Sequence, residues 1–235
     1  MEDLYADYFL KRGVNVGHAA PPRIPSYLRS VLPSKHGKIL DIGCGTGMLL
    51  TALKLAGFEN ALGVDISEQA VLLCRSKGLN VERISSIHEI SPENDDARFD
   101  LVVMSHVLEH ISKDSIIATL RHIREHVVSR AGKLVVMVPN AQSRTGAYWA
   151  YEDFTHCTLF TSGSLKYVLQ SAGFTRVEFL DPKCIGDTRL VFRPIKLLLL
   201  QLYETRMRFW NKVTSSSFHQ PSPCIYSFEI KAMAC

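Results

Sequence analysis

The most specific chemistry in this 235-residue chain lies in two acidic side chains and a run of glycines. In Ile39-Leu40-Asp41-Ile42-Gly43-Cys44-Gly45-Thr46-Gly47 an apolar run of strand length enters three alternate glycines. Such a sequence lets the backbone turn tightly and come close to a ligand before a helix begins. Asp65 ends the next apolar run, 24 residues after Asp41. There its carboxylate can accept from two ribose hydroxyls. These features alone suit many nucleotide ligands, but two residues narrow the choice. The third small residue of a dinucleotide fingerprint would fall at position 48, which is Met48. Asp41 sets a negative charge at the mouth of the turn, where a pyrophosphate is repelled and a cation is favoured.

A cofactor with positive charge, a ribose and no phosphate meets both conditions, and S-adenosylmethionine, with its sulfonium and ammonium groups, is one. Methyl transfer from a sulfonium asks mainly for alignment and exclusion of water. An oxygen nucleophile gains further from a general base, for which histidine is suited near neutral pH. The candidates are His106 and His156, the latter equally readable as a histidine bonded to the start of the following helix. Tyr148, Trp149 and Tyr151, in the segment that holds His156, offer rings to stack on a sugar or a flat acceptor, or to pack as a lid on the core.

Two segments, His106-Val107-Leu108-Glu109-His110 and His122-Ile123-Arg124-Glu125-His126, share the spacing of inverted zinc-peptidase helices. In the second, Ile116, Leu120, Ile123 and Val127 form the apolar stripe, which puts His122 and His126 on the opposite, wet face. The first begins at the carboxyl end of an apolar strand, where open α/β sheets hold their pockets. His106 is therefore expected to line a pocket. For Glu109 and His110, pocket lining and a polar turn satisfying local backbone stay equally open. No metal is expected at either segment.

The elements that must position these groups alternate in a βα rhythm. Lys38–Ile42, Ala61–Asp65, Asn80–Ile84, Asp100–Ser105 and Lys133–Pro139 read as strands, four of them nearly continuously apolar, as strands covered on both faces must be. Helices are expected over Met48–Ala56, Glu68–Lys77 and Ser115–Val128, with Ser67 capping the second and Gly78 ending it. Residues 140–160 read as a loop. A helix over Ser162–Ser171 follows, capped by Thr161 and ended by Gly173, and Arg176–Leu180 and Ile225–Ala232 read as two more strands. Residues 1–37 read as a helical lead-in with a short amphipathic helix at Ile24–Val31. Residues 38–235 form the main domain, with an insertion at about 182–222 that holds a helix over Pro194–Val213. The βαβ succession means an α/β fold with a doubly wound, mostly parallel sheet.

Leu40–Gly47, Gly63–Asp65, Phe99–Val103, His106–His110, Val138–Asn140, Asp153–His156 and Leu165–Phe174 together resemble a class I S-adenosylmethionine-dependent methyltransferase, of the broad group with Asp-x-Gly-x-Gly-x-Gly and Leu-Glu-His signatures. The resemblance covers roughly residues 36–180 and resumes at the last strand. It implies a seven-stranded Rossmann-like sheet of order 3-2-1-4-5-7-6 with the seventh strand antiparallel and helices on both faces. It also implies that Gly43, Gly45 and Gly47 approach the methionine part of the cofactor, with Asp41 near its ammonium and Asp65 on the ribose. Cys44, Ile66, Ser85 and Ser105 complete the expected contacts. One departure stands out: the acidic residue that in this group follows the third strand and meets the adenine is replaced by Ile84-Ser85-Ser86-Ile87. Ser85 or a backbone group is left to take its part.

Composition excludes several classes. Hydrophobic residues make up 46% and charged residues 21%, as in ordinary globular chains, and a net charge of +4 with no basic block gives no reason to expect nucleic acid as a partner. The six cysteines contain no Cys-x-x-Cys pair, and the first residues, Met-Glu-Asp-Leu-Tyr, lack the pattern of a secretory leader. Reduced thiols in a cytoplasmic protein are expected. In the insertion, apolar bulk and Trp210 alternate with Arg206, Arg208 and Lys212. That stripe would pack on its own sheet, form a homodimer, or lie in the inner face of a membrane through 194–213. The expected function is methyl transfer to a hydroxyl of a small molecule or a glycan-linked sugar. The alternatives are N-methylation, an NAD-dependent oxidoreductase, and a non-catalytic partner protein of the same fold.

Overall fold

A computed structural model describes residues 22–216 and 224–235. Most of the expected lead-in, residues 1–21, and the end of the insertion, 217–223, lie outside the described residues. Seven strands form one sheet: β1 (Ile39–Ile42), β2 (Ala61–Asp65), β3 (Val81–Arg83), β4 (Phe99–Ser105), β5 (Val128–Pro139), β6 (Val177–Phe179) and β7 (Glu229–Ala234). Their order is β3-β2-β1-β4-β5-β7-β6. β1 to β5 run parallel, and β7 is antiparallel to both β5 and β6. The expected fold class and strand order are therefore found.

The central strands are apolar on both faces because both faces are covered. On one, Leu40, Ile42, Val102, Met104, Leu134 and Val136 pack with Ile116, Leu120, Ile123 and Val127 of the helix after β4, and with Leu165 and Leu169. On the other, Ile39, Leu101, Val103 and Val135 pack with Tyr27, Leu28, Val31 and Leu53. Tyr27 and Leu28 belong to the short helix α1 (Ser26–Arg29), so the described part of the lead-in closes this second face.

The next helices are α2 (Met48–Leu55) and α3 (Glu68–Ser76), followed by α4 (Ile116–His122), which runs on into a π-helical turn over Ile123–Val127. Ser67 caps α3 by accepting from Ala70 N–H, and Gly78 follows it with φ +65°. Two connections differ from expectation. The segment 140–160 is not all loop, because α5 (Gly146–Glu152) forms within it and α6 (Ser162–Ser171) comes after. A Cβ on Gly146 would lie 2.6 Å from the Ala141 carbonyl, so glycine is what lets the helix start against that turn. β5 begins five residues early, at Val128, since the chain leaves the π-turn directly into the sheet.

In the insertion, α7 (Arg193–Val213) is 21 residues long and none of its residues is buried. No helix among the described residues is long and apolar enough to cross a membrane. All six cysteines are free thiols.

Candidate active site

A cavity of about 720 Å³ opens over the carboxyl ends of β1, β2 and β4. Gly43, Gly45, Asp65, Ile66, Ser85, His106 and His156 line it, so the fold brings these expected site residues to one place. Asp41, Cys44, Gly47 and Ser105 do not line it.

The turn after β1 is held by hydrogen bonds across to β2. Gly43 and Cys44 N–H both donate to the Val64 carbonyl, at 2.8 and 3.1 Å. Asp65 accepts from Gly45 N–H on one oxygen and from Ser67 N–H on the other, each at 2.8 Å. Its carboxylate thus fixes the turn as well as facing the cavity. Gly43, Gly45 and Gly47 all have positive φ, +71°, +52° and +75°, the region in which a side chain is strained. Gly43 and Gly47 are needed for space too. A Cβ at 43 would lie 2.4 Å from Val107, and one at 47 would lie 2.5 Å from Leu79. Gly47, expected at the cofactor, instead packs against α3 and the β3 approach.

Asp41 is 3% exposed and sits behind the turn rather than on the cavity wall. It has no hydrogen-bond partner among the described residues. Burial, aided by the nearby Asp65 and Cys74, pushes its pKa up to about 8. A buried carboxylate left this way is suited to a cation arriving beside it, which is an observation in favour of a sulfonium and ammonium ligand. Farther along, Ile66, Ile84 and Ile87 give the wall apolar surface, with Ser85, Ser86 and His88 beside them. The Ser85 N–H is already donated to Glu89, at 3.1 Å.

The other end of the cavity is built from the turn after β4 and the segment after β5. His106 has φ +56°, rare for a residue with a side chain. Its ring lies between two carboxylates, Glu109 Oε1 at Nδ1 and Glu229 Oε1 at Nε2, both at 3.1 Å. Burial alone would lower its pKa, but the hydrogen bonds and charges of Glu109 and Glu229 raise it to about 9. An imidazolium with both N–H groups donated cannot take a proton at neutral pH. The reading of His106 as a general base is corrected on that ground: it bridges β4 to β7 across Glu229.

His156 is arranged differently. Its side chain is 5% exposed, and Nδ1 lies 2.7 Å from the Trp149 carbonyl of α5. A carbonyl only accepts, so Nδ1 carries the proton and Nε2 the lone pair. Nε2 lies 3.9 Å from Asp153 and 4.0 Å from Glu109. The His110 ring is 4.8 Å away, centroid to centroid. Trp149 lines the cavity and stacks on Phe228, whereas Tyr151 is exposed and away from it. Sequence reasoning did not place Glu229 or Asp153 at the site. Glu229 opens a strand that sequence alone begins four residues earlier, and Asp153 follows an unexpected helix.

The second His-x-x-Glu-His segment lies apart from the cavity. His126 is half exposed, as expected, while His122 donates Nε2–H to the Ile90 carbonyl at 3.0 Å and so is not wholly on a wet face.

The profile of a family described as "Methyltransferase domain" matches residues 16–178, over two thirds of the chain. Among curated relatives, a ubiquinone biosynthesis O-methyltransferase of Methylococcus capsulatus is 34% identical over 98 residues, 40% of this chain and 41% of that protein. Another with that name, from Alkalilimnicola ehrlichii, is 28% identical over 185 residues, 77% of this chain and 65% of that protein. The chain thus spans less than two thirds of the length of either relative. Among solved structures, a S-adenosylmethionine-dependent methyltransferase from Archaeoglobus fulgidus superposes with a TM-score of 0.62 at 22% identity, over 88% of this chain and 90% of that one. Taken with the sheet order, the glycine turn and the paired Asp41 and Asp65, the extent of the profile match places this chain in the methyltransferase-domain family.

Proposed function

We propose that this protein transfers a methyl group from S-adenosylmethionine to a hydroxyl of a small molecule or a glycan-linked sugar. The carrying observation is that one cavity holds both the Gly43–Gly45 turn with Asp65 and, beyond it, His156 with its Nε2 lone pair fixed by Trp149. The cofactor supplies a methyl already activated by a positive sulfur. Gly43 and Gly45 let the backbone come close to it, Asp65 faces its ribose, and Asp41 supplies a negative charge behind the turn. Ile66, Ile84 and Ile87 offer apolar surface to a flat base. His156 Nε2 accepts the acceptor's hydroxyl proton as its oxygen bonds to the methyl and the methyl–sulfur bond breaks to leave S-adenosylhomocysteine, and Asp153, 3.9 Å away, steadies the resulting imidazolium. Trp149 and Phe228 form a wall on which a ring can stack. The names of the curated relatives, ubiquinone biosynthesis O-methyltransferases, support oxygen as the acceptor atom.

Product analysis with a labelled methyl donor tests this. Label on oxygen is expected, and label on nitrogen overturns the base assignment. Calorimetry with S-adenosylhomocysteine and with NAD checks the cofactor, and binding of NAD alone overturns it.

A partner reading accompanies this, carried by α7. Ile195, Leu198, Leu199, Leu202, Phe209, Trp210 and Val213 are all at least half exposed. At 100° per residue they fall on one arc, opposite the partly covered Arg193, Leu197, Leu200 and Met207. Arg193, Lys196, Arg206, Arg208 and Lys212 stand on this helix against a single Glu204. Aromatic and aliphatic bulk with excess positive charge fits an anionic lipid surface. Flotation with vesicles containing phosphatidylglycerol should capture the protein, and Leu198→Glu with Leu202→Glu should abolish capture. A dimer in light scattering that the same pair of changes dissolves, with no flotation, would assign the face to a second copy instead.

A further inference from the structure

At the acceptor end three potential ligand atoms converge. One atom from each of Glu109, His110 and His156 lies within 4.8 Å of the others. Glu109 is fully buried, and while its Oε1 accepts from His106, its Oε2 has no hydrogen-bond partner among the described residues. A fully buried carboxylate oxygen left without a partner is costly unless something cationic meets it.

The two imidazoles are oriented alike. Thr155 donates its single hydroxyl hydrogen to Asp153 at 2.6 Å, so at its 2.8 Å contact with His110 Nδ1 it must accept. His110 therefore carries its proton on Nδ1, and its Nε2 has the lone pair. His156 reaches the same tautomer through the Trp149 carbonyl. Metal-binding histidines are held this way: the far ring N–H goes to a hydroxyl, carbonyl or carboxylate, and the near nitrogen is fixed toward the ion. His110, His156 and Asp153 all line the cavity, so the side of the cluster away from Glu109 is open to an acceptor.

We infer that Glu109, His110 and His156 bind one divalent first-row cation, of the zinc or manganese class, whose remaining positions face the cavity. Two imidazoles and one carboxylate suit such ions, whereas magnesium and calcium prefer oxygen alone. With metal–nitrogen bonds of about 2.1 Å, neighbouring ligands stand roughly 3.0–3.4 Å apart, so side-chain shifts of about an ångström close the site. This replaces the expectation that the His106–His110 segment holds no metal. The cluster is not the two-histidine helix of a zinc peptidase: His106 is taken by Glu229, and the second imidazole comes from residue 156.

The role of the ion, though not its binding, rests on the methyl-transfer reading. An acceptor hydroxyl on the ion becomes more acidic. With the ion in place, its O–H bond would break with the electron pair kept on oxygen and the proton passed to Asp153; as that oxygen bonds to the methyl, the methyl–sulfur bond would break with its pair on sulfur, leaving S-adenosylhomocysteine. His156 then serves as ligand in place of base.

The test uses the full chain, stripped with chelator and titrated with Co2+, then with Zn2+ in competition. One Co2+ per chain with visible absorption of an imidazole-bound ion, displaced by Zn2+, is expected. His110→Asn and His156→Asn should each weaken binding by about 100-fold, and Thr155→Val, which only removes the orienting hydroxyl, by about 10-fold. His122→Ala, in the second His-x-x-Glu-His segment, and Cys157→Ser should leave binding unchanged. Circular dichroism checks that each variant folds. No uptake by the parent protein overturns the site, as does uptake unmoved by both histidine changes or lost with Cys157→Ser or His122→Ala. S-adenosylhomocysteine calorimetry on the same stripped sample separates the two readings. Cofactor binding without metal uptake removes only the metal site, and metal uptake without cofactor binding removes only the methyl-transfer reading.

Discussion

The two ends of the cavity treat buried negative charge in opposite ways. At the β1–β2 end, both oxygens of Asp65 are met by backbone N–H groups, and the carboxylate works as a brace for a turn of fixed shape. At the β4–β5 end, Glu109 has one oxygen on His106 and the other on no hydrogen-bond partner among the described residues. Apart from Asp41 behind it, the turn of the first end is formed before a ligand arrives, and its geometry belongs to the backbone. The second is a cluster of side chains from residues 106–110, 153–156 and 229, poised around a position still to be filled. A preformed end holds a cofactor that every turnover uses. An end made of side chains, fastened by hydrogen bonds rather than by strand pairing, is where acceptor chemistry can be tuned without disturbing the fold.

The largest expected effect breaks the second end alone. His156→Ala should lower kcat by about 10²- to 10⁴-fold, whether the residue takes the proton itself or holds an ion that acidifies the hydroxyl, while the KM for the methyl donor stays within about twofold. Steady-state kinetics with both substrates varied decides it. A comparable rise in donor KM would mean that the two ends are not separable. Next, Asp65→Ala breaks the first end by leaving Gly45 and Ser67 N–H without their acceptor. Losing charge-assisted bonds costs about 2–3 kcal/mol, so affinity for S-adenosylhomocysteine should fall by about 30- to 150-fold in calorimetry. If affinity is unchanged, Asp65 serves only its brace and the ribose lies elsewhere. Smaller again, Gly43→Ala places a Cβ 2.4 Å from Val107 and should destabilise the fold by about 1–3 kcal/mol in denaturant unfolding. Adding Val107→Ala relieves the clash but not the strain of φ +71°, so only part of the loss should return.

The contrast between the ends also explains what the sequence could disclose. The first end was legible because its demands are local: glycines at alternate positions where φ must be positive, and an aspartate where a strand stops. Asp41 and Asp65 were found by spacing alone, although burial of Asp41 behind the turn was not. The strand order was legible from the resemblance, and the both-sided cover of the sheet from apolar runs such as Leu101–Met104. At the second end, nothing local ties Glu109 to residues 153–156 or 229. Their meeting depends on β7 inserting beside β5, on α5 forming where a loop was expected, and on Thr155 choosing Asp153 over solvent. His106 illustrates the limit. A histidine at a strand end is correctly placed in the pocket, but its two carboxylate neighbours, which decide its charge, come from separate parts of the chain.

The subtlest test returns to Asp41, the one carboxylate at the first end that the backbone does not satisfy. In the folded chain it keeps its proton up to about pH 8, while in the unfolded chain it releases it near the usual carboxylate value. Between those limits the folded state binds more protons, so this residue makes stability fall as pH rises from about 4 to 8. Asp41→Asn removes that slope, and the parent should lose a few degrees of Tm relative to the variant between pH 6 and pH 8. A bound ammonium reverses the balance by favouring the carboxylate. Binding of S-adenosylhomocysteine below pH 8 should therefore release a proton, with affinity rising by up to about tenfold per pH unit in the parent and staying nearly flat in Asp41→Asn. Calorimetry in two buffers of different ionisation enthalpy reads the proton directly. If none is released, the charge behind the turn is not what meets the cofactor, and the first end holds its ligand through backbone and Asp65 alone.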